Sequence, residues 1–106
     1  MIKHIVMWRF KEGTKDQMHK FLDGLMGLPA QMDIIKSMQV GTNVNPKEKF
    51  DATLICEFEN MDDLNSYATD PRHLAVASIC KEIWSGLSFV CSTESYASAG
   101  NPGEGG

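Results

Sequence analysis

The stretch IKHIVMWRF, Ile2–Phe10, decides how the rest of the chain is read. Side chains alternate across a strand, so Ile2, His4, Val6, Trp8 and Phe10 share one side while Ile5 and Met7 take the other. Both sides are mostly apolar. Such a strand belongs in the middle of a sheet with cover on each face, and the downstream segments have to supply that cover.

Gly13 ends the strand, and Thr14 with Gln17 has the spacing of a capping box ahead of Met18, Phe21, Leu22, Leu25 and Met26. This spacing predicts a helix over residues 14–27, closed by Gly27 and Pro29. Ile34, Lys36, Met38 and Val40 then alternate with Ile35, Ser37 and Gln39 as a second strand before Gly41. Residues 43–49 combine Asn, Pro and charges as an exposed connection, and residues 50–59 alternate as a third strand with Phe50, Ala52, Leu54, Cys56 and Phe58 on its apolar face. Asn60 is an N-cap for a short helix through Leu64 and Tyr67. Asp70-Pro71 starts another, because Asp accepts from free N–H groups and Pro already has the helical φ. Leu74, Val76, Ala77, Ile79, Cys80, Ile83 and Trp84 give it apolar positions at helical spacing, and a last strand covers residues 87–96 after Gly86.

The order strand, helix, strand, strand, helix, strand predicts an α+β ferredoxin-like plait, βαββαβ, with its last helix broken in two. The helices of such a plait cover only one face of its four-stranded sheet. Ile5 and Met7 therefore need a second copy of the sheet, which makes a homodimer the expected assembly. The domain occupies residues 1–96, and residues 97–106, ASAGNPGEGG, read as a flexible Gly-rich tail.

Composition narrows the function. The chain has 106 residues, enough for one domain, and its 42% hydrophobic and 23% charged residues suit a folded globule. A net charge of −4 repels phosphate backbones and anionic lipid, so neither nucleic acid nor membrane is an expected partner. The apolar N-terminal run is too short to span a bilayer. Cys56, Cys80 and Cys91 are odd in number and lack C-x-x-C spacing, so they read as free thiols in a reducing, cytoplasmic setting. Cys56 and Cys80 fall on apolar faces as core thiols. No metal-ligand cluster or Gly-rich phosphate loop appears, and neither a metal nor an organic cofactor is expected.

His4 shares its strand side with Val6, Trp8 and Phe10, which face the helices; it is either a locally satisfied core imidazole or part of a site. His73 lies in the first turn of the last helix, where backbone N–H groups disfavour its charged form. A neutral imidazole there is suited to accept a proton, although a surface first-turn His is the simpler reading. Tyr67 precedes it across the Asp-Pro break and converges with it if the break folds back. Trp8 and Trp84 can be core or cavity wall, and a Trp8 that enters a cavity restricts it to a small ligand. His19, among polar neighbours, is expected at the surface.

The opening KHIVMWRFK and the later Tyr67-Ala-Thr-Asp-Pro-Arg-His73 resemble the stress-responsive dimeric α/β-barrel (Dabb) family over residues 2–96. That family commonly carries a Tyr-x-x-His-Pro-x-His segment, and here Asp70 stands where its first His falls. The resemblance implies a ferredoxin-like protomer and a dimeric barrel. A plant member is a polyketide cyclase that closes an aromatic ring by aldol condensation without a metal or organic cofactor. Carried over by position, this implies His73 as general base, Tyr67 as the group that polarises a carbonyl, and His4 in the same cavity. Val6, Trp8, Val76, Ile79 and Trp84 would be its apolar walls. The implied function is binding of a small apolar carbonyl-containing molecule, with cofactor-independent proton transfer, cyclisation or isomerisation. The alternatives are a non-catalytic stress-response binding or structural dimer, and a heme-binding or cofactor-free monooxygenase on the same plait.

Overall fold

The computed structural model describes residues 1–100. It contains β1 (Ile2–Phe10), α1 (Lys15–Met26), β2 (Ser37–Thr42), β3 (Ala52–Phe58), α2 (Met61–Thr69), α3 (Pro71–Ile83) and β4 (Trp84–Glu94). The strands form one antiparallel sheet in the order β2-β3-β1-β4, so β1 is central, and the topology is that of a ferredoxin-like plait. Residues 97–100 have no regular structure, and the remainder of the expected tail, 101–106, lies outside the described residues. Among the described residues no helix is long and apolar enough to cross a membrane.

Register follows the alternation in sequence. Val6 pairs with Leu54 on β3 and Val90 on β4, while Met7 pairs with Thr53 and Phe89. Directly paired residues share a face. Val6, Phe10, Leu54, Cys56 and Phe58 meet Phe21, Leu22 and Leu25 of α1, Leu64 and Tyr67 of α2, and Ile83 of α3 in one buried core. Each fully buried side chain of this size contributes about 1.5–3 kcal/mol, so this layer dominates the stability. Across the sheet, Ile5 and Met7 are only half-buried. Beside them on β4, Leu87 and Phe89 are 42% and 47% exposed. The helices leave this apolar face uncovered.

Two of the three expected caps form. Asn60 accepts from the Asp63 N–H at 2.8 Å, and Asp70 accepts from the Arg72 N–H at 2.8 Å. Asp70 is extended (φ −65°, ψ 133°), as a residue before proline prefers, and this single residue breaks α2 from α3. Thr14 does not complete a capping box. Its hydroxyl donates to the Lys11 carbonyl, so α1 starts at Lys15 without a side-chain cap.

Three boundaries also differ from the pattern in sequence. Ile34 and Ile35 precede β2 in a turn whose Ile35 N–H donates to Met32 O at 3.1 Å; Ile35 is buried there. Residues 50 and 51 precede β3, where the Asp51 carboxylate accepts from the Phe10 N–H at 2.7 Å and locks the strand start to β1. Trp84 begins β4 rather than extending the helix. Between Trp8 and Phe10 the pairing with β4 shifts register, and Gly86 sits in that irregularity at φ +100°, a conformation costly for any residue with a Cβ.

Candidate functional site

β1 and β3 form the floor of a cavity of about 300 Å³ between the sheet and the helices. His4, Val6 and Trp8 line it from successive inward positions of β1, with Leu54 beside them on β3. Phe21 and Leu25 close it from α1, and Trp84 and Ser88 from β4. Tyr67 enters from α2. His73, Ala77, Cys80 and Lys81 line it from α3, at the spacing of one helical stripe.

The helix break brings Tyr67 and His73 together. Their ring centroids are 4.4 Å apart. The His73 Nδ1 lies 3.2 Å from the Ala68 carbonyl, in the last turn of α2 where carbonyls lack helical partners. A carbonyl only accepts, so Nδ1 carries the proton and the neutral ring keeps its lone pair on Nε2. Burial holds the His73 pKa below the ordinary 6.5, opposed by the Ala68 carbonyl and the Asp70 carboxylate. The downward direction agrees with the reading from sequence; the cause is burial more than helix position. His4, whose Nδ1 is 3.0 Å from Ser92 Oγ, is lowered too, by burial first and then by His73. Both imidazoles are therefore neutral at pH 7.

Tyr67 is 1% exposed, packs on Phe58, and keeps its hydroxyl without a hydrogen-bond partner. It is the one such buried side-chain polar atom among the described residues. An unpaired buried hydroxyl costs about 1–3 kcal/mol, which a ligand oxygen can relieve. Burial, with Cys56 nearby, pushes the phenol above its usual 10, so it stays a proton donor. Burial also raises the Cys56 thiol to about 12 and Cys80 to about 11; neither is a thiolate at neutral pH.

Val76 and Ile79 occupy other places than the cavity wall. Val76 faces α1, where a Cβ at Gly24 would lie 3.0 Å from its Cγ1, and Ile79 packs against the core. The wall uses the neighbouring stripe of α3, including Ala77 and Cys80, which the apolar spacing named without assigning them to a cavity, and Lys81, which it passed over. Periodicity from His73 (i+4, i+7, i+8) is the signal that finds them. Asp70 is not in the wall. It receives a two-point contact from Arg72, Nε to Oδ1 at 3.0 Å and a terminal nitrogen to Oδ2 at 2.8 Å, and Arg72 also donates to the Gln31 carbonyl at 2.6 Å. The carboxylate thus caps α3 and steadies Arg72, which ties the helix to the loop after α1. His19 is exposed and lies outside the cavity. Among the described residues no three His, Cys, Asp or Glu converge as metal ligands.

Comparison with known proteins places the chain among relatives. No curated protein matches the sequence. A dimeric protein of unknown function with a ferredoxin-like fold from Bacteroides fragilis is 32% identical, with a TM-score of 0.82 over 88% of this chain and 94% of that one. A hydroxynitrile lyase from Passiflora edulis is 17% identical, TM-score 0.78, over 92% of this chain and 96% of its own. An antibiotic biosynthesis monooxygenase is 13% identical, TM-score 0.78, over 92% of this chain and all (100%) of its own. The last two share the fold. The sequence profile of the stress responsive A/B barrel domain matches residues 2–92, and the chain belongs to this family, Dabb.

Proposed function

We propose that the protein is a homodimeric, cofactor-independent catalyst of proton transfer on a small, mostly apolar carbonyl compound bound between sheet and helices. The observation that carries this reading is the buried, unpaired Tyr67 hydroxyl beside a neutral His73 whose Nδ1 is already committed. In the step envisaged, His73 Nε2 takes a proton from the carbon next to the carbonyl, and the C–H electron pair moves into the enolate. The Tyr67 O–H donates a hydrogen bond to the enolate oxygen, and the imidazolium returns its proton to carbon or oxygen. Isomerisation follows if the proton returns elsewhere. Cyclisation follows if the enolate attacks a second carbonyl of the same molecule.

His4 and Ser92 would keep the floor polar at one point, while Val6, Trp8 and Trp84 exclude water. The apolar face bearing Ile5, Met7 and Phe89 supports face-to-face pairing with a second copy, as does the dimeric Bacteroides fragilis relative. The three free thiols favour a reducing compartment such as the cytoplasm.

The test is NMR-monitored exchange of the protons next to the carbonyl, in D2O, for a panel of small aryl ketones with wild type and His73→Ala. Protein-dependent exchange lost in the variant supports the reading. Equal exchange by both removes His73 from catalysis, and no binding of any panel member favours a non-catalytic dimer.

A further inference from the structure

We infer that the molecule held in the cavity carries a carboxylate at the end remote from its reacting carbonyl, and that Lys81 pairs with it. The inference rests on the cavity being a ligand site and adds the substrate class. No lining residue is Asp or Glu, and Lys81 is the one lining side chain with a formal charge at neutral pH, since both imidazoles are neutral there. Lys81 is exposed, so its charge stands at the rim of the cavity over otherwise uncharged walls. Two other cations that reach α3 are engaged: Arg72 with Asp70, and Lys11, whose ammonium donates to the Glu82 carbonyl at 3.4 Å. Lys81 has no ion-pair or hydrogen-bond partner among the described residues. Its place in the last turn of α3 complements the helix dipole, which is the structural alternative.

Helix geometry also sets the spacing of the ligand's two ends. His73 and Lys81 are two turns apart on one stripe, about 12 Å along the axis at 1.5 Å per residue. Neither side chain is long enough by itself to cross that gap. A carboxylate adjacent to the carbonyl, as in a 2-keto acid, does not span it. A ring or short chain between the two groups does, and Trp8, Phe21 and Trp84 suit an aromatic spacer.

The experiment compares binding of 4-acetylbenzoate and its neutral analogue 4-methylacetophenone to the full-length protein, by quenching of tryptophan emission and by calorimetry. Wild type is expected to favour the acid by about fivefold, the upper range for a partly exposed ion pair, and less at high salt. Lys81→Met should abolish the preference, read as the ratio of the two affinities within each protein, and Lys81→Arg should retain it. A dipole role alone predicts lower thermal stability in Lys81→Met with the preference intact. Binding of the ketone with no preference for the acid in wild type, or the same preference in Lys81→Met, overturns the role of Lys81 and leaves the cavity as a carbonyl site. Binding of neither compound overturns both.

Discussion

The rings of Tyr67 and His73 meet at a centroid distance of 4.4 Å, tilted by 43°, across the point where Asp70 breaks the helix. The contact exists because Asp70-Pro71 redirects the chain, so the first turn of α3 falls back on the last turn of α2.

Tyr67→Phe separates the phenol's chemistry from its packing. The hydroxyl has no partner, so removing it relieves a desolvation cost of about 1–3 kcal/mol and leaves the ring contacts in place. Urea unfolding should show the variant at least as stable as wild type, while ketone proton exchange falls. A clear loss of stability would mean that the hydroxyl is already satisfied in the folded protein.

His73→Ala should lower exchange by about 10²–10⁴, the usual contribution of a general base. Because His73 titrates below 6.5 in the folded protein, the acid limb of the wild-type rate profile should lie below pH 6.5, with a plateau through pH 7. A limb centred above 6.5 would contradict this. Stability has its own sign. Between the lowered folded pKa and 6.5 the unfolded chain binds more protons, so stability falls as pH drops below 6.5, for His4 as for His73. Thermal melts across that range should be flatter in His73→Ala.

The Asp70 carboxyl is held below its ordinary range. Hydrogen bonds from the Arg72 side chain and then its backbone N–H hold the carboxyl at about 2 rather than 3.8. Its contribution is complete above pH 3.8 and disappears as pH falls through about 2. Asp70→Asn keeps a cap acceptor and loses the charge. It should melt below wild type at pH 7 and together with it near the bottom of that window; a constant difference would argue against the ion pair.

Gly24 and Val76 should be energetically coupled. Alanine in a helix interior gains about 0.8–1.0 kcal/mol over glycine, but a Cβ at Gly24 would meet Val76 Cγ1 at 3.0 Å and Cγ2 at 3.3 Å. Valine has one favoured rotamer in a helix, so it cannot turn aside. Gly24→Ala should lose up to about 2 kcal/mol by overpacking in wild type and gain about 1 kcal/mol in the Val76→Ala background. Chemical denaturation of the four proteins measures the coupling; additivity would show that the helices separate freely.

Met7→Lys tests the uncovered sheet face. Met7 lies between Thr53 and Phe89 on the face opposite the core, so a lysine there leaves the protomer's interior intact. Light scattering should show wild type as a dimer and the variant as a folded monomer, with Phe89→Lys behaving alike. A variant that remains dimeric would place the interface elsewhere.

Local chemistry carried most of the fold in the sequence alone. Alternation in β1 and β3 set their faces, Asn60 and Asp70 set two helix starts, and Asp70-Pro71 set the break, because each effect acts over a few residues. The two apolar sides of β1 similarly marked which face holds His4, Val6 and Trp8 and which needs other cover. Tertiary packing decided the remainder. Ile34 and Ile35 are as apolar as a strand, yet the core takes Ile35 from a turn. Trp84 fits the helix pattern, yet pairing with Phe10 draws it into β4. α3 is apolar nearly all round, so its sequence does not say which stripe faces α1 and which faces the cavity. Close approach at Gly24 assigns Val76 to the helix contact and thereby turns His73, Ala77 and Cys80 toward the cavity, with Lys81 exposed at its rim. His4, Val6, Trp8, Tyr67, His73 and Trp84 were each legible in the sequence. Their sharing of a wall was not, because it depends on how one helix rotates against another.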